Sequence, residues 1–328
     1  MTRRVVVTGV GAVTAVGHTA EETWQAMLEG RSGIGPITLF DPEPYPVRIQ
    51  AEGKGFELGD RVGPKQQRYM NRSVQFGVAA ALDAVADSGL KVTEENADMV
   101  GVIFGSGAGG TDMILEHQRI LEEKGPRRIT PFLVANFIPD AASGHIAIAT
   151  GARGPNYAPV AACATGAAAI GEAFETIRRG DADAVITGSS EAVLLPIYHA
   201  TWCSMRALAS DNEHPEKALK PFDLHRDGFI AGEGACGMVL EEYEHARARG
   251  ARIYCEVIGY GSSNDAYDMI ALHETGRGLK RAVVAAIRKA GIDPSEIDYI
   301  NPHGSGTPLN DRVETLVFKE VMGPAAYR

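Results

Sequence analysis

The chain has 328 residues, of which 45% are apolar and 23% charged, and this composition is typical of a globular protein with one large core or two similar ones. Its formal net charge of −10 argues against nucleic-acid binding, which needs a basic surface to neutralise phosphates. No apolar run approaches the ~20 residues of a membrane span and no signal-peptide core follows the first residues, so we expect a cytoplasmic protein without membrane contact.

Strand patterns alternate with helical patterns along the whole chain, which predicts a layered α/β protein. The predicted strands lie at residues 4–8, 100–104, 184–187, 236–240, 252–258 and 297–300. The predicted helices lie at residues 19–28, 71–87, 242–249, 279–290 and 312–321, with a further helix that begins at Cys163.

Two glycine-rich segments follow predicted strands, but neither fits a nucleotide site. Residues 9–11 lack the third glycine of a dinucleotide-binding fingerprint, and no helix begins there. Residues 105–110 lack the Gly-Lys-Ser/Thr ending of a phosphate-binding loop. We expect both segments to pack closely against another part of the backbone.

Cys163 lies between a run of small residues and a helix rich in alanine and glycine. Free backbone N–H groups and the helix dipole favour a thiolate at such a position and lower the thiol pKa from its usual ~8.5, which makes Cys163 a candidate nucleophile. The competing interpretation, a small apolar packing residue, fits Cys203, Cys236 and Cys255 better. Because the four cysteines have no paired spacing, we expect free thiols rather than disulfides or a zinc site.

His303 follows the predicted strand at residues 297–300 and precedes a run of glycine and hydroxyl residues. Open α/β sheets bind ligands at the carboxyl ends of their strands, so this position favours a functional histidine. A cysteine at a helix start and a histidine on a distant loop are the components of thiol-based covalent catalysis.

Basic residues cluster in two polar stretches of this acidic chain, around Lys65 and Arg68 and at Arg127 and Arg128. Such a cluster is either a solvated face or a docking surface for an acidic partner, and composition leaves both interpretations open.

Four spaced motifs together resemble one protein family. They are VAACATG at residues 160–166, NPHGSGTPLND at 301–311, RVVVTGVG at 4–11, and PFD at 221–223 with RDGF at 226–229. The chain resembles the β-ketoacyl-[acyl-carrier-protein] synthases of the elongating type II kind, similar to synthase II of fatty acid synthesis, over almost its whole length.

The resemblance implies a thiolase-like α/β fold with layers in the order α-β-α-β-α and two similar halves, usually in a homodimer. The halves would be residues 1–154 and 155–328, the second one incomplete. Family members continue beyond the position of Arg328 into a segment with a lysine, a second active-site histidine and a Gly-Phe-Gly-Gly-type loop. We therefore expect a fragmentary reading of a longer gene, with a truncated protein completed by another chain or a decayed protein as alternatives.

The resemblance also implies the chemistry. Cys163 would take an acyl chain from acyl carrier protein as a thioester, and His303 would help to decarboxylate malonyl carrier protein, whose carbanion attacks the acyl-cysteine. The product would enter fatty acid or polyketide elongation. No cofactor or metal is implied, since the substrates are carried on the phosphopantetheine of the carrier protein.

Further site residues follow from the same resemblance. Ser305 and Thr307 would hold the pantetheine arm, with loop and helix capping as the competing interpretation. Asp311 and Glu314 would orient catalytic groups. The acyl pocket would be lined by Ala108 and Trp202, and the carrier protein would dock on Lys65, Arg68, Arg127, Arg128 and Arg206.

Two other functions stay open at this point. One is a non-catalytic synthase-like partner subunit, although its family normally lacks the cysteine that stands here at position 163. The other is a thiolase acting on coenzyme A esters, which the loop at residues 303–308 fits less well.

Overall fold

A computed structural model describes residues 3–327 and shows two compact units. The first unit comprises Met1–Gly33, Ala51–Leu195 and Gly232–Val257. The second unit comprises Ile34–Gln50, Pro196–Ala231 and Ile258–Arg328. Each unit is therefore assembled from segments that lie far apart in the chain.

Strands and helices alternate along most of the chain, as the sequence predicts, although the last two segments of the second unit contain only helices. The strands are β1 (Val5–Val13), β2 (Ile34–Pro36), β3 (Ile49–Ala51), β4 (Val100–Gly105), β5 (Asn156–Tyr157), β6 (Ala184–Glu191), β7 (Gly234–Glu242) and β8 (Cys255–Val257). The helices are α1 (Ala20–Leu28), α2 (Pro64–Gln67), α3 (Arg72–Ser88), α4 (Thr111–Lys124), α5 (Leu133–Phe137), α6 (Ala141–Thr150), α7 (Thr165–Arg179), α8 (Pro196–Ser204), α9 (Pro215–Ala218), α10 (Tyr243–Ala248), α11 (Arg277–Ala290) and α12 (Pro308–Met322). Among residues 3–327, no helix combines the length and the apolar character that crossing a membrane requires.

Helix starts were predictable where a polar side chain caps the first turn. The Thr19 hydroxyl accepts the Glu22 N–H at 3.1 Å ahead of α1. The Asn71 side chain accepts the Val74 N–H at 2.9 Å ahead of α3. Both caps satisfy backbone donors that a helix start leaves unpaired, so these predictions are confirmed.

One predicted strand is wrong. Residues 297–300 follow a 3₁₀ turn at Pro294–Glu296 and pair with no strand of the part of the chain that the structure describes. Their alternation of apolar and polar residues is that of a strand, but a strand also needs a neighbour to satisfy its backbone groups. The expectation that His303 follows the carboxyl end of a strand is therefore also wrong.

The first unit is built on a six-stranded sheet in the order β5-β4-β6-β7-β1-β8. β4 runs parallel to β5 and β6, whereas β7 runs antiparallel to β6 and β1, and β8 antiparallel to β1. Because β4 and β6 are parallel neighbours, their carboxyl ends meet at the same edge of the sheet. The turn that carries the candidate nucleophile follows β5 in the chain, and glycines at and just after the end of β4 pack against it.

Helix α3 packs on β1, β7 and β6 at unusually close range. A Cβ atom at Gly237 would lie 2.6 Å from the Ala80 carbonyl oxygen, and Gly11 faces the same carbonyl. Because glycine has no Cβ atom, the glycines of β1 and β7 allow the backbone of α3 to approach these strands closely. The close packing predicted for residues 9–11 is confirmed.

The second unit has its own small core. Val47, Leu208 and Ala218 are buried there, with Trp202 and Phe229 packed against them. Helix α11 packs on α12, whose Val313 and Val317 are buried as well. The loop that carries His303 leads directly into α12.

Candidate active site

Cys163 lies in a 3₁₀ turn, Ala162–Ala164, immediately before α7. Ala162 has a φ of +48°, in the left-handed region that non-glycine residues seldom adopt. The Ala161 N–H donates to the Thr165 hydroxyl at 2.9 Å, which fixes the entry to the helix. The turn presents an exposed cysteine, and the helix that was predicted to begin at Cys163 begins at Thr165.

Glycines allow this turn to pack closely against the ends of β4 and β6. A Cβ atom at Gly105 would lie 2.8 Å from the Pro159 carbonyl oxygen. A Cβ atom at Gly166 would lie 2.8 Å from Ser189 Oγ. The close packing predicted for residues 105–110 is therefore confirmed, and its partner is the turn that carries Cys163.

Ala108 lies half-buried in the loop that follows β4. A Cβ atom at the preceding Gly107 would contact the Ala162 carbonyl oxygen at 3.5 Å. The structure therefore brings the loop of Ala108 against the turn of Cys163.

Glu191, at the end of β6, is a residue that the sequence interpretation missed. Its carboxylate accepts the Ser106 hydroxyl at 2.9 Å and the Gly107 N–H at 2.8 Å. Burial raises the pKa of this carboxyl above its ordinary value of 4.5. The strand was predicted to end at residue 187, so no local signal identified Glu191 as the residue that ends it.

In the second unit, Glu314 holds the backbone of the loop that carries His303. Its two carboxylate oxygens accept the N–H of His303 at 2.7 Å and that of Gly304 at 2.8 Å. The Asn310 side chain donates to the same carboxylate at 2.9 Å. Glu314 is buried and His303 is exposed, so the carboxylate fixes the main chain and leaves the imidazole accessible.

Asp311 joins the two sequence motifs of the second unit. It is buried, and its carboxylate accepts the Phe222 N–H at 2.7 Å and the Gly306 N–H at 3.2 Å. Arg226 lies 3.6 Å from the same carboxylate and donates to the Pro308 carbonyl oxygen at 2.8 Å. The PFD and RDGF segments are therefore bound to the histidine loop.

Ser305 and Thr307 lie side by side in that loop. Their hydroxyl oxygens are 2.9 Å apart and hydrogen-bonded to each other. Thr307 occupies the N-cap position of α12, but its side chain makes no capping hydrogen bond. The capping interpretation therefore does not account for the Thr307 hydroxyl.

Trp202 lies half-buried on α8, among aromatic rings of the second unit. Its ring stacks on Tyr198 with centroids 5.7 Å apart and meets the edge of Phe229 at 5.8 Å. Cys203, the next residue, packs against the same core, as predicted. Cys236 and Cys255 are exposed on β7 and β8, so their interpretation as packing residues is wrong.

The predicted docking cations are all exposed. Lys65 lies on α2 with Arg68 at its end, Arg127 and Arg128 form a 3₁₀ turn, and Arg206 follows α8 with a φ of +52°. Within residues 3–327 none of the five forms an ion pair with a carboxylate. Their charge is therefore available to an external anion.

The fold is thiolase-like, with a thiol presented at the start of a helix above a mixed sheet. The family model for "Beta-ketoacyl synthase, N-terminal domain" matches residues 2–246 of the chain. The family model for "Beta-ketoacyl synthase, C-terminal domain" matches residues 254–328. The chain belongs to the β-ketoacyl synthase family.

Relatives agree with this assignment. The chain is 45% identical over 324 residues to 3-oxoacyl-[acyl-carrier-protein] synthase 2 of Staphylococcus aureus strain COL, covering 99% of this chain and 78% of the relative. It is 44% identical over 325 residues to the protein of the same name from Synechocystis, again covering 99% and 78%. Both relatives are thus similar along nearly the whole chain.

Solved structures agree as well. A β-ketoacyl synthase from Burkholderia phymatum superposes with a TM-score of 0.89 at 32% identity, covering 98% of this chain and 78% of that one. A ketosynthase bound to the hexaketide, solved with the acyl-carrier protein of its type II polyketide synthase, gives a TM-score of 0.87 at 32% identity and covers 99% and 79%.

Proposed function

We propose that this chain is a β-ketoacyl-acyl-carrier-protein synthase of fatty acid elongation. The observation that carries the proposal is the exposed Cys163 on a constrained turn ahead of α7, within a family whose similar members are named 3-oxoacyl-[acyl-carrier-protein] synthase 2. A helix start supplies backbone N–H donors and a positive dipole end, which favour a thiolate and a developing oxyanion.

In the first step the Cys163 thiolate attacks the thioester carbonyl of an acyl carrier protein. An acyl-sulfur bond to Cys163 forms, the bond to the carrier phosphopantetheine breaks, and the released thiolate takes up a proton. The Cys163 N–H stabilises the oxyanion of the tetrahedral intermediate.

In the second step a malonyl carrier protein loses carbon dioxide to give an enolate. Its carbon attacks the acyl-cysteine carbonyl, a carbon–carbon bond forms, and the Cys163 thiolate is released. A neutral His303 donates a hydrogen bond to the thioester oxygen as enolate charge develops. Glu314, which fixes the His303 backbone, and Asp311 act as positioning residues.

The pantetheine arm binds through hydroxyl groups of the same loop. Ser305 and Thr307 carry adjacent hydroxyls that can donate to the amide oxygens of pantetheine. Acyl-pocket roles are proposed for Ala108, in the loop after β4, and for Trp202, on α8. No cofactor is used in this proposal, since both substrates are thioesters of the carrier protein.

Acyl carrier protein is the proposed partner, and it docks on the exposed cations Lys65, Arg68, Arg127, Arg128 and Arg206. A homodimer is proposed as well, because Phe132, Val134 and Ile148 expose large apolar side chains in the first unit. The division into similar halves at residues 154 and 155 and a cytoplasmic location stay predictions.

Intact-protein mass spectrometry with an acyl carrier protein thioester tests the function. We expect one acyl group per chain in the wild type, none in Cys163→Ala, and full acylation in Cys255→Ala, which removes another exposed cysteine. Acylation that persists in Cys163→Ala would show that another residue is the nucleophile and would overturn the proposal.

A further inference from the structure

Glu191 connects the ends of two parallel strands. It is the last residue of β6, and its carboxylate receives the Ser106 hydroxyl at 2.9 Å and the Gly107 N–H at 2.8 Å, directly after β4. Within residues 3–327 it forms no ion pair with a cation. Its two oxygens are thus used by neutral donors of a single loop.

These contacts extend through the loop to Ala108. The Ser106 oxygen, which is buried, also accepts the Gly109 N–H at 2.9 Å. The Thr111 hydroxyl donates to the Ala108 carbonyl oxygen at 3.0 Å. Residues 106–109 therefore form a closed loop whose position depends on the carboxylate of Glu191.

The loop is also confined on its other side. A Cβ atom at Gly107 would lie 2.9 Å from Glu191 Oε2 and 3.5 Å from the Ala162 carbonyl oxygen. Gly107 is thus enclosed between the carboxylate and the residue that precedes Cys163. A displaced Glu191 side chain would release Gly107 from the turn that presents the thiol.

We propose that Glu191 is a positioning residue that sets which acyl chain length Cys163 accepts, by holding the loop of Ala108 against the Cys163 turn. The inference rests on the proposed acyl transfer to Cys163 and deepens it. Glu191 acts through the loop and does not touch the reacting atoms. Long acyl chains depend on it most, because they contact more of the pocket wall than short chains do.

Two substitutions at this position separate its contributions. Glu191→Ala removes both acceptors and leaves the Gly107 N–H without a partner. Glu191→Gln keeps an oxygen for the Gly107 N–H, and its amide can donate to the Ser106 oxygen instead of accepting from it. We therefore expect the glutamine variant to preserve the loop and the alanine variant to release it.

Glu233 provides a matched control in the same unit. It is buried, and its carboxylate accepts the Gly53 N–H at 2.9 Å, but it also binds Arg72 at 2.6 Å. Glu233→Ala therefore removes a buried carboxylate that accepts a backbone N–H, but it leaves the contacts of residues 106–109 unchanged. Any general loss of packing should affect this variant at least as much.

The measurement is kcat/KM for acylation of Cys163 by butanoyl and tetradecanoyl thioesters of acyl carrier protein. We expect Glu191→Ala to lower the ratio of tetradecanoyl to butanoyl acylation about tenfold. Glu191→Gln and Glu233→Ala should stay within about twofold of the wild-type ratio. If Glu191→Ala does not fold, Ser106→Ala, which removes one bond to Glu191, should lower the ratio in the same direction.

The outcomes distinguish this inference from the function on which it rests. A wild type that loads neither thioester overturns both. A wild type that loads both thioesters, with an unchanged ratio in Glu191→Ala and Ser106→Ala, overturns the positioning role and leaves the acyl transfer intact. An equal change of the ratio in Glu233→Ala also overturns the positioning role of Glu191, since loss of any buried carboxylate would then change the ratio.

Discussion

The turn that carries Cys163 and the loop that carries His303 are held by different kinds of contact. Around Cys163, the glycines at positions 105 and 107 let the main chain approach the carbonyl oxygens of Pro159 and Ala162. Around His303, the buried carboxylates of Glu314 and Asp311 receive backbone N–H groups. The first region should therefore be sensitive to added atoms, and the second to the loss of an acceptor oxygen.

The largest effect is expected from Gly105→Ala. The added Cβ would lie 2.8 Å from the Pro159 carbonyl oxygen, and a main-chain atom cannot rotate away. We expect a loss of about 3 kcal/mol in the free energy of unfolding, measured by urea denaturation, together with loss of Cys163 acylation. Gly63→Ala is the control, because its Cβ would meet no heavy atom of residues 3–327 within 4 Å apart from its two chain neighbours. Equal stability of the two variants would remove the distinction between the regions.

Glu314→Gln tests the carboxylate side of the comparison. Because both oxygens of Glu314 accept an N–H, the amide group places a donor against either His303 or Gly304. We expect a cost of about 1–3 kcal/mol in unfolding free energy. Condensation should slow on the order of 10²-fold while acylation of Cys163 persists.

The control for this variant is Glu320→Gln, at an exposed position of the same helix α12. Condensation and acylation should both remain at the wild-type rate there. A Glu314→Gln protein that loses acylation and condensation together would show that the His303 loop is not an independently positioned part of the site.

Glu241 offers a third case, a buried carboxylate bound by cations. Burial disfavours its charge, but hydrogen bonds from Arg249, His245 and Thr8 outweigh this effect and lower its pKa from 4.5 to about 2. The hydrogen bond to Glu241, 2.8 Å long, raises the pKa of His245 above its ordinary 6.5.

These shifts predict how stability depends on pH. The contribution of Glu241 is present above its unfolded pKa and should be lost as the pH falls from about 4.5 toward 2. The contribution of His245 is present below its unfolded pKa and should be lost as the pH rises above 6.5 through the raised pKa. Unfolding free energies across this range should show both losses, and His245→Gln should abolish only the second.

The smallest effect is expected from Thr307→Val. It removes a hydroxyl that pairs with Ser305 at 2.9 Å and, in the proposed function, binds pantetheine. We expect KM for acyl carrier protein thioesters to rise roughly fivefold with little change in kcat. Thr201→Val, at an exposed helix position whose hydroxyl bonds to the Ile197 carbonyl, should leave KM unchanged. A lower kcat with an unchanged KM would contradict the pantetheine role.

Local signals were sufficient to predict much of this molecule. The caps at Thr19 and Asn71 depend on residues close in sequence, so the pattern alone indicated them. The glycine-rich segments were recognisable from composition, whereas the partners they pack against lie elsewhere in the chain. The position of Cys163 at a turn before a helix was predictable for the same reason as the caps, because the residues on both sides of it specify a turn and a helix.

Features that depend on residues distant in sequence were not predictable. Glu191 bonds to residues about 85 positions earlier, and nothing in its own surroundings in the sequence indicates that contact. Ala162 has a left-handed backbone although it is not a glycine, so its residue type does not indicate this conformation. The strand predicted at residues 297–300 is absent. The alternation of apolar and polar residues indicates which side chains would share a face of a strand, but it does not show whether a neighbouring strand is there to accept the hydrogen bonds.

The close approach of α3 to β1 and β7 has a genetic consequence. At Gly11 and Gly237 the opposing atoms belong to the main chain at Ala80, which every amino acid shares. A second mutation in α3 could therefore not restore a protein damaged by Gly237→Ala, since no change of side chain removes a carbonyl oxygen. A search for intragenic suppressors of these glycine substitutions should recover true revertants and few compensating changes in α3.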